Sequence, residues 1–240
     1  MRPAGRLGIG VIGAGRVGPV LGAALAGAGH ALTGVSAVSA RSLDRVDAML
    51  PGVPVLAVPD LVERSELVLL AVPDTELPGL VEGLAEAGAW VAGQLVVHTA
   101  PGFGTDVLLP AVRRGAIPVA LSPAIAFTGT SVDLERLREA RCAVTAPGPV
   151  LPIGQALAVE MGCEPVIVAE ADRPAWAGAL AEAVAPLEAA LATASRRLAA
   201  IGVEDPDTVL GPVARSALER ALNGARRAAR EPLPGAGGAA

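Results

Sequence analysis

The three glycines of Gly13-Ala14-Gly15-Arg16-Val17-Gly18 constrain this chain more than any other feature. They follow an apolar run, Leu7 to Ile12, that reads as a strand, and they open a segment, Arg16 to His30, that reads as a helix. A strand turning this tightly into a helix suits a parallel βαβ unit. The first glycine permits the turn, the second removes a side chain where phosphates would approach the backbone, and the third lets the helix lie close on the sheet. The helix start offers free N–H groups and a partial positive charge, both suited to an anion. The spacing therefore predicts a dinucleotide-binding turn made by Gly13, Ala14, Gly15, Arg16 and Val17.

The rest of the chain extends the pattern. Leu32 to Val38 reads as a second strand, a helix covers Asp44 to Leu50, and Val53 to Ala57 is a short third strand. Leu67 to Val72 is continuously apolar, as a strand covered on both faces must be. Asp74 is placed to cap a helix reaching Ala87. Further strands are expected at Gln94–Thr99, Pro118–Leu121, Cys142–Ala146 and Pro165–Val168, with a helix over Leu151–Met161. This alternation predicts an α/β fold, a doubly wound Rossmann-type parallel sheet over residues 1–170. At Asp172-Arg173-Pro174 a long helix begins and runs to about Ile201, with Pro186 expected to kink it. A last helix starts at Asp205-Pro206 and reaches Arg230. Residues 171–230 are thus a short helical domain for dimerisation or substrate, and 231–240 a disordered tail.

The choice between nicotinamide cofactors falls at the end of the second strand. Binders of the non-phosphorylated form place a carboxylate there for the ribose hydroxyls. This chain has Ser39-Ala40-Arg41-Ser42 and no acid before Asp44. A guanidinium with two hydroxyls suits a 2′-phosphate, so NADP(H) is the expected cofactor. The alternative is a solvated Arg41 with Asp44 moving in. Val72-Pro73-Asp74 and Thr99-Ala100 end strands whose carboxyl ends should face the same cofactor.

Composition narrows the partners. Hydrophobic residues form 52% of the chain and charged residues 18%, which leaves apolar surface for a second subunit. A homodimer through the long helix is expected. The net charge of −5 provides no field for nucleic acid or an anionic membrane. No charge occurs between Arg16 and Arg41, yet five glycines and a change of period there argue against a membrane span. Cys142 and Cys163 lack CxxC spacing, so neither a metal site nor a disulfide framework is expected, and a cytoplasmic setting follows. The N-terminus lacks a signal-peptide layout.

With these residues placed, the chain resembles a bacterial family of Rossmann-like proteins with a helical C-terminal domain of unknown function. That family is similar in plan to ketopantoate reductases and beta-hydroxyacid dehydrogenases. The resemblance spans about residues 7 to 215 and rests on GVIGAGRVG, SAVSARS, LVLLAVPD, QLVVHTA, SPAIAFTGT, EMGCEP and GVEDPDTVLGP. Departures accompany it. Relatives tend to read HTSG where this chain has His98-Thr99-Ala100-Pro101, and HPAMTF where it has Ser122-Pro123-Ala124-Ile125-Ala126-Phe127. The histidine and asparagine that relatives carry on the long helix match Ala177 and Ala185 here, and the helical part is expected to be shorter.

Reduction of a carbonyl needs a proton donor near the oxygen. The candidates are Glu182, His98 and Ser122. Glu182 shares a helix face with Gly178 and Ala185, and desolvation there would raise its pKa; the alternative is a solvent-facing glutamate. His98 either bonds backbone or meets substrate, and Ser122 stands where relatives have histidine. Phe127 and Trp176 either line a substrate cavity or pack the core. The arginines of the last helix, from Arg215 to Arg230, read as a solvated face or a subunit contact. The expected function is NADP(H)-dependent reduction of a small-molecule carbonyl or imine. The alternatives are a repurposed enzyme catalysing a non-redox step (cyclisation or isomerisation), or a non-catalytic NADP-binding protein.

Overall fold

The computed structural model describes residues 6–228; the proposed tail and Arg230 lie outside the described residues. Seven strands form one sheet in the order β2-β1-β3-β4-β5-β6-β7. They are β1 (Gly8–Ile12), β2 (Ala31–Ser36), β3 (Leu67–Leu70), β4 (Leu95–His98), β5 (Ile117–Pro123), β6 (Arg141–Thr145) and β7 (Glu164–Ile167). The helices are α1 (Gly18–Gly27), α2 (Ala40–Met49), α3 (Val58–Glu63), α4 (Leu77–Glu86), α5 (Leu109–Val112), α6 (Val132–Leu137), α7 (Leu151–Glu160), α8 (Arg173–Ala200) and α9 (Pro206–Ala228).

The apolar run at β3 is covered on both faces. Leu67 and Leu69 join a core with α1 and α7, whereas Val68 and Leu70 join a second core with α3 and α4. Successive side chains point to opposite faces, so a strand between two helical layers needs an apolar residue at every position.

Three expectations are corrected. The third strand, Val53–Ala57, shrinks to a single bridge between Val35 and Val55. Pro54 lacks a donor, and Pro59 sits in the first turn of α3 immediately afterwards, so the ladder has no length in which to grow. Asp74 does not cap α4. The helix starts at Leu77, with Pro78 in its first turn, where the fixed φ and missing N–H cost nothing. The sheet is not parallel throughout, since β5 and β6 pair antiparallel, Pro123 opposite Cys142. Between them α6 has six residues, about 9 Å of helix at 1.5 Å per residue, too short to return along a strand. The chain therefore re-enters at the edge where β5 ends. As expected, one long helix follows residue 172, and α8 runs through Pro186 to Ala200.

The chain divides within α8, residues up to Leu180 forming one compact unit and those from Ala181 another. The composition change at residue 170 precedes this division because Arg173, in the first turn of α8, is buried against the sheet. In the second unit, α8 and α9 present an apolar groove of about 440 Å³ lined by Leu187, Leu191, Leu210, Val213 and several alanines. By length and hydropathy, the helical segment 170–200 is also long and apolar enough to cross a membrane.

Gln94 ties the two halves of the sheet unit together. Its Nε2 donates to the carbonyls of Val62 and Ser65, both at 2.7 Å, from a buried position. Gln94→Leu should lower the unfolding free energy in urea by roughly 1–3 kcal/mol, because the Ser65 carbonyl loses its buried amide donor while the Val62 carbonyl keeps the N–H of Ser65. A loss under about 0.5 kcal/mol would contradict the assignment.

Candidate functional site

The site forms where the strand order reverses. The chain leaves β1 for β2 on one side and returns to β3 on the other, which opens a crevice at the carboxyl ends of β1 and β3. A cleft of about 410 Å³ occupies it. Gly13, Ala14 and Gly15 form one wall, Ser39, Arg41 and Ser42 a second, and Val72 and Pro73 a third.

The three glycines divide their tasks. Gly13 has φ +102°, and a Cβ there would lie 2.4 Å from the carbonyl oxygen of Ala71. A Cβ on Gly18 would lie 2.0 Å from the carbonyl oxygen of Gly13. Both positions let backbone meet backbone. Gly15 differs, since a Cβ there would meet no protein atom within 4 Å. No fold contact requires a glycine at 15; what a side chain would fill is the cleft itself.

The second wall belongs to the start of α2. Ser39 caps this helix, its Oγ accepting from the N–H of Ser42 at 3.2 Å while the Ser42 hydroxyl accepts from the N–H of Ser39 at 2.9 Å. Sequence reasoning assigned these hydroxyls to a ligand; their observed partners are each other and the helix end. Arg41 is exposed in the first turn, and Arg45, one turn later on the same face, reaches the phosphate turn. Its Nη1 donates to the carbonyl of Ala14 at 3.0 Å. Arg45 was not among the expected cofactor residues; its spacing of four from Arg41, which puts both on one helix face, is the signal for it in the sequence. Asp44 is not among the cleft residues; the carboxylate in the wall is Glu76, from the start of α4.

A loop from β5 closes over the turn. Gly129, at φ +81°, packs so tightly that a Cβ would lie 2.7 Å from Arg45 Nε and 3.0 Å from Arg16 Cα. Asp133 holds this loop, accepting from the N–H groups of Thr128 and Gly129 at 2.8 Å each. Burial alone would raise its carboxyl pKa, but bonds from Gly129, Thr128 and Arg136 outweigh it and hold the pKa low.

Other predicted residues lie elsewhere. Arg16 is exposed, and Val17 packs against the main core. Asp74 stands on the exposed turn before α4, its carboxyl pKa raised by partial desolvation. Thr99 Oγ1 donates to the carbonyl of Leu70, and Ala100 is buried in the second core. Phe127 packs on the main core.

Ser122 and His98 are not among the cleft residues. Ser122 is buried in β5 opposite Ala143. Glu182 is exposed on α8. His98 is fully buried at the end of β4, with Nε2 2.7 Å from the carbonyl oxygen of Gly104. A carbonyl only accepts, so Nε2 carries the proton. Burial is the main cause that lowers the His98 pKa to about 4, with the charge of Arg173 adding to it.

The sequence comparisons agree with this architecture. Residues 1–123 match the Rossmann-like domain family, and residues 140–230 match a domain of unknown function, DUF2520. The chain belongs to the Rossmann-like family. No curated protein matches this Rossmann-like chain in sequence. Among solved structures it is similar to a Bacteroides fragilis protein provisionally assigned as an NADP oxidoreductase. That match has 18% identity and TM-score 0.73, covering 89% of this chain and 80% of that one. A variant imine reductase from Myxococcus stipitatus in complex with NAD+ matches at 20% identity and TM-score 0.59, covering 92% and 77%. A pyrroline-5-carboxylate reductase from Coxiella burnetii matches at 16% identity and TM-score 0.59, covering 94% and 86%. These are likenesses of fold.

His98 yields a pH prediction. Its pKa of about 4 in the fold lies below the ordinary histidine value of 6.5, so between these values the unfolded chain binds more protons. Its contribution to stability is therefore complete above about pH 6.5 and declines as pH falls toward 4. In NMR, the His98 ring should remain in the neutral form at pH 5. A midpoint near 6.5 would contradict the burial.

Proposed function

We propose that this Rossmann-like protein binds NADP(H) in the cleft between β1 and β3 and reduces a small imine or carbonyl. The observation that carries the reading is the space above Gly15, bounded by the start of α1 on one side and by Arg41 and Arg45 on the other. The residues fit the group. The backbone from Gly13 to Gly15 would hold the pyrophosphate, and the guanidiniums of Arg41 and Arg45 on α2, whose wall of the cleft carries no carboxylate, suit a 2′-phosphate. When bound, the nicotinamide supplies hydride chemistry. The oxidoreductases of similar fold support this reaction class. An imine is favoured over a carbonyl, because it can arrive protonated and needs no donor from the buried, neutral His98.

The same observation on His98 supports a second reading, a repurposed enzyme performing a non-redox step with its cofactor retained. Absorbance at 340 nm separates the two: product formed without oxidation of NADPH would select the second. A partner is also part of the proposal. A second copy of this chain covers the groove between α8 and α9, since two helices alone leave Val213 62% exposed and Leu222 50% exposed. Light scattering of the full chain should give twice the monomer mass; a monomer would remove this part. With Glu182, Glu188, Arg196 and Arg197 along α8, a soluble cytoplasmic setting is proposed over a membrane span.

Two variants test the cofactor site. Gly15→Val should keep the wild-type melting temperature, because a Cβ at this position meets no protein atom within 4 Å, yet lose nucleotide binding. Arg41→Ala should weaken NADPH binding by roughly 10- to 100-fold, the worth of a charge-assisted bond to phosphate, while leaving NADH nearly unchanged. Equal losses for both nucleotides would reject the 2′-phosphate assignment.

A further inference from the structure

The two arginines of the cleft wall are held very differently. Arg41 is exposed in the first turn of α2, and among the described residues nothing bonds its guanidinium. Arg45 is half-buried and confined on two sides. Its Nη1 donates to the carbonyl of Ala14 at 3.0 Å, and a Cβ on Gly129 would lie 2.7 Å from its Nε. Gly129 is buried at φ +81°, a conformation that suits glycine, so its backbone lies directly against the guanidinium. Behind Gly129, the fully buried Asp133 carboxylate accepts from the N–H groups of Thr128 and Gly129. The backing of Arg45 is thus tied into the fold.

The charge of Arg45 is pinned but not neutralised. Among the described residues no carboxylate pairs with it, and Asp133 is committed to Arg136 at 3.0 Å. A guanidinium carries several N–H donors, and the Ala14 carbonyl engages one of its nitrogens. Arg45 also lines the cleft, together with Gly13, Ala14 and Gly15. Because a peptide unit is rigid, the bond to the Ala14 carbonyl fixes the plane of the Ala14–Gly15 peptide as well. A cation already ordered at the cleft wall loses little further freedom when it meets an anion. In the cofactor reading, the anion over this turn is the pyrophosphate.

We propose that Arg45 serves the pyrophosphate, fixing the turn and donating to a phosphate oxygen, while Arg41 alone reads the 2′-phosphate. This rests on the cofactor reading and divides the two guanidiniums that it brings to the cleft. Arg45 then contributes to every ligand bearing a diphosphate, whether or not its ribose is phosphorylated. Selectivity for NADPH over NADH resides in one exposed side chain, Arg41, and the shared affinity in a confined one.

Displacement of NADPH from the full chain by ADP and by adenosine 2′-monophosphate tests this division. The first carries a diphosphate without a 2′-phosphate, and the second the reverse. Both should displace NADPH from the wild type. Arg45→Gln keeps an amide donor but removes the charge. It should weaken ADP roughly ten-fold, the worth of one charge-assisted bond, and the 2′-monophosphate less than about two-fold. Arg45→Lys restores the charge and should recover most of the loss for ADP, a rescue that a merely structural role would not give. Arg41→Ala should show the opposite pattern. No displacement by ADP in the wild type, equal losses for both nucleotides in Arg45→Gln, unchanged ADP in that variant, or no rescue by Arg45→Lys would overturn the proposal while leaving NADPH binding in place. Failure of NADPH itself to bind the wild type would remove the cofactor reading and this proposal with it.

Discussion

Everything at the cofactor edge depends on backbone meeting backbone at the end of β1. The Gly13 carbonyl sits where a Cβ on Gly18 would be, and the Ala71 carbonyl sits where a Cβ on Gly13 would be. Those contacts pin the start of α1 beside the ends of β1 and β3. Once they are made, the crevice lies at the reversal of strand order and Gly13, Ala14 and Gly15 line it. Any side chain at 13 or 18 would push the helix off the sheet. A side chain at 15 would fill only the cleft, and that separates what the fold needs from what a ligand needs.

Charge placement builds on this frame. The start of α2 carries Arg41 and Arg45 on one face, and the second of these is bonded to the phosphate turn itself. The loop held by Asp133 presses Gly129 against both Arg16 and Arg45. Three segments far apart in sequence thus converge on one short turn. The binding wall is therefore positioned by the core and not by a free loop.

Legibility in the sequence followed the length and continuity of the local signal. The run at Leu67–Leu70 and the turn at Gly13–Gly18 could be read directly, because burial on both faces and close backbone approach leave few residue choices. The Val53–Ala57 segment misled because its valines suit a strand while the prolines around it limit a ladder to one bridge. Ser39 and Ser42 read as hydroxyls for a ligand; in the fold they line the cleft and also bond each other at a helix cap, a pairing three residues apart that the sequence shows equally well. The antiparallel entry of β6 depends on how short α6 is, and no periodicity announces that. Arg173 read as part of a helix start; its bonds to Ala120 and Ala143 join positions more than 25 residues apart in sequence, beyond any local pattern.

The central claim is that the crevice between β1 and β3 selects a dinucleotide bearing a 2′-phosphate. Its most direct test is calorimetric titration of the wild-type chain with NADPH and NADH in parallel. The account predicts saturable binding of NADPH and, given one charge-assisted phosphate contact, NADH weaker by roughly ten-fold or more. No heat from either nucleotide at millimolar concentration, or NADH binding as tightly as NADPH, would contradict it.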